Sequence, residues 1–446
     1  MDIYFQQYKP ASCITHYLTE GCKGRDKQTL GFELEHFIVE RDSHAAVPYL
    51  VEPDSAAPSV AKVLERLKQY YPEASYEQDI KGNSHLFGLS RDKAAITLEP
   101  GAQIEVSIGP TTTVREIENL YLLFRSELDP ILDSMGLELL EQGYHPTALA
   151  RDIPLIPKLR YEHMDGYFSQ TGKHGICMMR ATASTQVSVD YLSEDDAINK
   201  FRIANALGPL LAFITDNSPV FEGEVVGACG RKAEISKSGY TVPKRMARMV
   251  CWDDTDPKRC LVARGTFDDD YSFAHYVEDL IESPGIFLPA KDMGIDSEYL
   301  GFTTFERALP NEVIDDALVL HILSLFFFDA RLKNYLELRQ ADSMPLEYAL
   351  AYTALVGGLF YNPKAIDYYT ECFTYTDSRS IAFAKSALRK SGYDADVYGR
   401  PAKDWLKEML AFAREALDLE EAAYLAPFED LVAKQTTIIE LLHSCK

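Results

Sequence analysis

Two stretches of this chain alternate like β-strands yet carry carboxylates on one side. In GFELEHFIVE (31–40), Glu33 and Glu35 are two residues apart, so they project from the same face of a strand. In TLEPGAQIEVSIGP (97–110), Glu99, Gln103, Glu105 and Ser107 fall on one face; Ala102, Ile104, Val106 and Ile108 fall on the other. No Lys or Arg interrupts that stretch. An apolar back must pack onto a core, which leaves the acidic front facing a cleft or solvent. Pro100 and Gly101 interrupt the second strand and predict a bulge that re-aims Glu99 relative to Glu105.

The acidic faces admit two readings. Each Glu alone fits a solvated position on a half-exposed sheet. Together, two strands showing two acids each make a nest of carboxylates. Like charges packed together are expensive unless a cation neutralises them. Mg²⁺ is commonly held by one or two carboxylates plus substrate phosphates. His145, in EQGYHPTA before Pro146, is a metal or phosphate contact on one reading and a structural histidine on the other. Spacing does not choose between them.

Along the rest of the chain, helical spacing predicts helices over 58–71 and 114–135, the second capped from Thr111, Thr112 or Thr113. Strands are expected at 137–145 and 184–191, with a helix over 194–215 capped by Ser193. Residues 222–244, rich in Gly and Lys, read as a loop or flap. From Asp315 strand patterns fade, and helices are expected at 315–338, 345–360, 376–390, 402–425 and 427–444. The expected fold class is α+β: a mainly antiparallel sheet flanked by helices, with a helical C-terminal part. The expected division is a lead-in over 1–30, a body over 31–362 and a helical region over 363–446. No GxGxxG follows a strand and no GxxxxGK[ST] occurs, so any ATP binds without a P-loop.

The chain has 446 residues, ample for a large core, and a net charge of −23. That balance argues against nucleic acid or an anionic membrane as partner. A local basic pocket or a bound cation still leaves room for a small anionic substrate. The eight cysteines are scattered without a CxxC pair, which points to a reducing cytoplasm. The first ten residues show no signal-peptide pattern, and the apolar run Ala317–Phe328 is too short to span a bilayer.

GFELEHF, ITLEPGAQIEVSIGP, RDIPLIPKLRYEHM, MMRATASTQVSVDY, NSPVFEG, RMVCWDDTDPKRC, FDDDYSFAHYVED and FFFDARLKNYLELRQADS occur in that order. This ordered set, from about Gly31 to Asn362, resembles the plant and bacterial glutamate–cysteine ligases, including an actinobacterial branch. The resemblance implies a fold related to glutamine synthetase, a curved sheet whose concave face holds Mg²⁺ and ATP. It also implies a reaction: ATP phosphorylates the γ-carboxylate of glutamate, and the amine of cysteine displaces phosphate to give γ-glutamylcysteine. It makes 31–362 the catalytic body.

By the same resemblance Glu33, Glu35, Glu99 and Glu105 would be metal ligands, with His145 close to metals or phosphates. Glu33, Glu105 and Arg248 would be the catalytic groups. Arg248 lies four residues before Trp252, the family's Arg-x-x-x-Trp pattern. A bidentate Arg suits the glutamate α-carboxylate, and Trp252 would wall the pocket. Lys158 and Arg160, in IPKLRY, are candidates for phosphate or carboxylate contact. Arg331, Lys333 and Arg339, in ARLKNYLELR, are expected on a helix, where Arg331 and Arg339 nearly share a face. A solvated helix pairing Lys333 with Glu337 is the alternative there. Lys158, Arg331 and Arg339 would serve the nucleotide, and Thr182, Gln186 and Arg160 the substrates. Thr182, Ser184, Gln186 and Ser188 share one face of ATASTQVSVDY, as hydrogen-bonding groups or as an exposed polar face. The plant Arg-Thr-Cys run and Gln-x-Asn pair are replaced by Ala181, Thr182, Ala183, Gln186 and Ser188, a form closer to the actinobacterial branch.

Three functions stay open on the sequence. The first is an ATP- and Mg²⁺-dependent glutamate–cysteine ligase. The second is a related carboxylate–amine ligase with another acceptor. The third is a non-catalytic binding or scaffold protein on the same fold. Oligomeric state is not legible.

Overall fold

The computed structural model of the protein describes residues 7–230, 234–289 and 298–443. Its centre is a nine-stranded sheet. The strands are β1 (Leu30–Glu40), β2 (Glu73–Gln78), β3 (Ser84–Arg91), β4 (Ala94–Leu98), β5 (Ile104–Thr111), β6 (Leu137–Leu140), β7 (Ser184–Val189), β8 (Ala330–Leu332) and β9 (Leu336–Asp342). They lie in the order β8-β9-β7-β1-β5-β4-β3-β2, with β6 also paired to β1. All of these pairings are antiparallel.

The principal helices are α1 (Lys9–Glu20), α2 (Val60–Leu67), α3 (Val114–Ser134), α4 (Leu159–Phe168), α5 (Gly175–Ala181), α6 (Glu194–Ile214), α7 (Ala247–Asp253), α8 (Asp316–Leu323), α9 (Leu346–Phe360), α10 (Ser378–Ser391), α11 (Ala402–Ala416) and α12 (Ile438–His443). Thr113 caps α3 by accepting from the Glu116 N–H, and Ser193 caps α6 by accepting from that of Asp196. Helix α3 packs on β5 and β6, α9 on β7 and β1, and α6 on β8 and β9. They cover the sheet's apolar back, where Leu34, Ile104 and Val106 are fully buried. Each such side chain contributes about 1.5–3 kcal/mol of burial. This layer fixes which face of β1 and β5 is left for polar chemistry.

The structure corrects several expectations. The stretch 97–110 is a hairpin between β4 and β5. The Glu99 N–H bonds the Gln103 carbonyl at 2.9 Å, and Ala102 adopts a left-handed φ of 67° in the turn. Pro100 and Gly101 thus reverse the chain where a bulge was expected. Helix 315–338 is also wrong: α8 stops at Leu323, and β8 and β9 form a hairpin around Lys333 and Asn334. The strand expected to 145 ends at Leu140. The segment 402–425 breaks where Asp418 caps a new short helix, and 427–444 breaks at left-handed Gln435. Of the 222–244 flap, residues 231–233 lie outside the described ones, as does residue 444 of the last expected helix.

Candidate active site

The open face of the sheet is a grid of polar side chains set by strand register. Glu35 faces Glu105, which faces Thr97. One step along, Gln186 faces Glu33, which faces Ser107. Glu99 sits opposite Gln103 at the hairpin end, on the same side as Glu105. The hairpin therefore keeps Glu99 and Glu105 on one face, with direct pairing doing what simple alternation was expected to do.

Proximity and burial raise all four acids. Glu33 is pushed up from 4.5 to about 7, by burial first and then by Glu105 and Glu337. Glu99 is pushed well up by burial, Glu35 and Glu105. Glu105 is raised by burial and Glu35, against hydrogen bonds from Thr97 and Ser107. Glu35 is raised by burial but opposed by Arg248 and Ser184. Its carboxylate accepts from Ser184 N and Oγ, both at 2.7 Å, and from Gln186 Nε2 at 3.0 Å. Arg339 pulls all four toward ionisation.

The sequence offers Glu337 only as a partner for Lys333, and the structure makes it central. It is fully buried and holds Arg331 (2.8 and 3.0 Å), Lys333 (3.0 Å) and Arg339 (2.8 Å). Burial pushes its carboxyl up, but Arg331, Lys333 and Arg339 hold it well below the usual range. The expected Lys333–Glu337 pair exists, across a hairpin instead of along a helix. Alternation of Leu336 and Leu338 around Glu337 was the available signal. Glu337→Gln would leave three partly buried cations without their anion. An equilibrium urea melt should show a loss of about 3 kcal/mol or more.

The other expected residues fall in different places. Arg248, on α7, donates to the carbonyls of Gln340 (3.3 Å) and Arg339 (3.2 Å), and its guanidinium lies 5.5 Å from the Trp252 ring centre. Its Nε has no partner. Arg248, Trp252, Phe327, Asp329 and Arg339 line one recess. Arg339 also donates to Gln186, so Gln186 bridges Arg339 and Glu35. Arg160 bonds Ser324 through its Oγ and carbonyl (3.0 and 2.8 Å), and its charge reaches Glu99. Lys158 is paired with Glu77 of β2 at 2.8 Å. Thr182 leaves the polar row: it ends α5, and its hydroxyl donates to the Met178 carbonyl at 2.6 Å. His145 packs edge-on to Phe37, two residues beyond Glu35 on the same face of β1. Burial and His44 lower it to about 4, and its buried Nε2 has no partner. Its Nδ1 accepts from the Thr147 and Ala148 N–H groups at 3.4 and 3.1 Å.

A cleft of about 440 Å³ opens beside Glu33, lined among others by Lys23, Gly31, Lys93, Ser107, Ser188 and Tyr335. Gly31 keeps its floor low; a Cβ there would stand 3.1 Å from Ser188 Cβ. Among the described residues, no three His, Cys, Asp or Glu groups close on a point that could hold a metal. The expected five-ligand set is therefore not assembled. Glu35 is taken up by Ser184 and Gln186.

The model of glutamate–cysteine ligase family 2 matches residues 29–439. The chain belongs to that family. Among other glutamate–cysteine ligases, the chloroplastic protein of Nicotiana tabacum is 27% identical, over 96% of this chain and 79% of the relative. That of Arabidopsis thaliana is 28% identical over 96% and 78%. The glutamate–cysteine ligase of Francisella tularensis, solved in complex with AMP, superposes with a TM-score of 0.53 over 94% of this chain and 85% of that one, at 14% identity. That likeness bears out the α+β ligase fold. Among the described residues no helix is long and apolar enough to cross a membrane.

Proposed function

We propose that the chain is a ligase that uses ATP to join the γ-carboxylate of L-glutamate to the amine of L-cysteine. Beyond family membership, one observation carries this reading. Glu33, Glu35, Glu99 and Glu105 face one another on a sheet flanked by Arg248 and Arg339. Acids that hold their protons against one another suit a divalent cation; His145, whose Nδ1 accepts from the Thr147 and Ala148 N–H groups, carries its proton on the orphaned Nε2 and would offer it to a phosphate oxygen at the edge of the same face. Glu33, Glu99 and Glu105 do not converge on one point in the metal-free protein; drawn in by a cation they would hold Mg²⁺, and Glu337 lies near Glu33. A bound Mg²⁺ would supply positive charge to offset that of the phosphates during phosphoryl transfer.

The protein's own groups supply position. Arg248 is free at Nε and walled by Trp252, so it would take the glutamate α-carboxylate and point the γ-carboxylate at the acidic face. Arg339 would neutralise charge that builds on the transferred phosphoryl group. Gln186 holds Arg339 and Glu35 in one geometry. The cleft beside Glu33 would take the nucleotide, with Lys23 and Lys93 at its rim; this shifts the nucleotide contacts from Lys158 and Arg331 to the cleft. A carboxylate is a poor electrophile, so an acyl phosphate must precede attack by the amine. Residues 31–362 would form the catalytic body, with 1–30 leading in and 363–446 packed on it. The compartment proposed is the cytoplasm, on the scattered cysteines of the sequence.

Ala181 at the end of α5, Ala183 just before β7 and Ser188 on β7 replace the plant residues, which favours a second reading in which another amine replaces cysteine. ADP release with glutamate, Mg²⁺–ATP and a panel of amino acids and amines separates the two. Cysteine should stimulate release most. If another amine does so and cysteine does not, the second reading stands.

The acids also set a pH dependence. In the folded, metal-free protein Glu33 keeps its proton up to about 7, while in the unfolded chain it loses it near 4.5. The folded state then binds more protons, so stability should fall as pH rises through that window and level off above it. Thermal melts at pH 5 and 7.5 in chelator should show the drop. Mg²⁺ should reverse it and release protons in calorimetry at pH 6.5.

A further inference from the structure

We infer that the C-terminal helices position α7, the segment carrying Arg248 and Trp252, and that Lys385 is the residue through which they act. Helix α7 has seven residues, too few to hold its own geometry without tertiary contacts. It starts from Met246 in a left-handed conformation, φ 57°, where Asp216 accepts the Met246 N–H at 2.9 Å. Its last residue, Asp253, follows Trp252 directly.

Lys385, on α10, is 3% exposed and lies more than 130 residues away in sequence. Its Nζ stands 2.7 Å from Asp253 and 2.6 Å from Asp329. Asp329 lines the recess with Arg248, Trp252 and Arg339, and its carbonyl accepts the Arg339 N–H at 3.1 Å. One buried ammonium thus ties the two walls of the recess: α7 on one side and the β8–β9 hairpin on the other. Arg389, one turn further along α10, gives Asp253 a second partner at 3.2 Å. Just before α7, Arg245 pairs with Glu440 of α12 at 2.5 Å. Helices α10 and α12 therefore grip both ends of the segment. Burial would lower Lys385, but the two carboxylates outweigh it and hold the ammonium above its ordinary value. A buried ion pair is weak evidence for stability alone, because an apolar replacement often serves as well. Two oppositely placed walls converging on one cation give it a positioning role. Lys385 touches no substrate; it is a positioning residue, and the inference rests on Arg248 and Trp252 forming the glutamate recess.

The test uses the full chain with Lys385→Met, Lys385→Arg and Arg389→Ala. Lys385→Met should raise KM for glutamate about tenfold or more, since small displacements of a binding group are amplified, and leave KM for ATP nearly unchanged. Lys385→Arg should recover most of the loss, and Arg389→Ala should move KM for glutamate in the same direction by less. Incorporated 5-fluorotryptophan gives ¹⁹F resonances for the two tryptophans of the chain, Trp252 and Trp405, assigned with Trp405→Phe. Lys385→Met should move the Trp252 resonance and not that of Trp405. If Lys385→Met does not fold, the half-buried Arg389→Ala carries both measurements. Unchanged glutamate KM with an unmoved Trp252 signal, or equal rises for both substrates, overturns the inference. If the wild-type protein has no glutamate-dependent turnover, the ligase reading fails, and the Trp252 resonance still decides whether Lys385 positions α7.

Discussion

Replacing Glu105 with glutamine is expected to abolish turnover, by about a thousandfold in kcat, while the fold survives. The two side chains have the same shape, and only the charge differs. Glu105 faces Glu35 across the β1–β5 ladder and raises Glu33 and Glu99 as well. Removing its charge relieves a repulsion within the metal-free protein, so the melting temperature in chelator should hold or rise. It also removes a ligand from the face proposed to hold Mg²⁺. Thr97 and Ser107, which donate to Glu105 at 2.9 and 3.0 Å, can donate equally to a glutamine carbonyl. Steady-state kinetics beside a thermal melt check the pair of outcomes. Near-normal kcat in a folded Glu105→Gln protein would remove the metal assignment.

The second large effect concerns Arg248. Arg248→Lys keeps the charge and loses the planar fork that spans both oxygens of a carboxylate. It also abandons the carbonyls of Gln340 and Arg339, which hold the guanidinium against Trp252. Charge-assisted hydrogen bonds are worth about 1.5–3 kcal/mol each, so KM for glutamate should rise about tenfold to a hundredfold. KM for ATP should stay near that of wild type, because the cleft proposed for the nucleotide lies beside Glu33 and Ser188 and does not include Arg248. Initial-rate measurements varying each substrate in turn separate the two constants. Equal loss for both substrates would mean that Arg248 supports the fold more than the glutamate.

How far the sequence discloses the site depends on how local each cause is. Glu33, Glu35 and Glu105 are legible because a period of two is written in consecutive residues. Glu99 shares the face of Glu105 through a turn where a bulge was expected, since both answer to Pro-Gly. The β8–β9 hairpin is missed because Lys333 and Glu337 are four apart and Arg331 and Arg339 eight apart, distances that suit a helix. The competing signal, Leu336 and Leu338 alternating around Glu337, spans too few residues to win. Thr182 leaves the polar row because the end of α5 offers it a free carbonyl. Lys385 carries no local signature, because its partners, Asp253 and Asp329, come from distant parts of the chain. Register, hairpin closure and long-range ion pairs are decided by tertiary packing, and that is where the sequence reading falls short.

The central claim is that this protein activates glutamate by phosphorylating its γ-carboxylate on the acidic face of the sheet. Incubation with Mg²⁺–ATP, cysteine and glutamate labelled with ¹⁸O in the γ-carboxylate tests it directly by mass spectrometry. An acyl phosphate that breaks on attack by the amine should leave one labelled oxygen in the inorganic phosphate, in step with γ-glutamylcysteine formed. Phosphate that appears with cysteine and glutamate present but carries no label would contradict it.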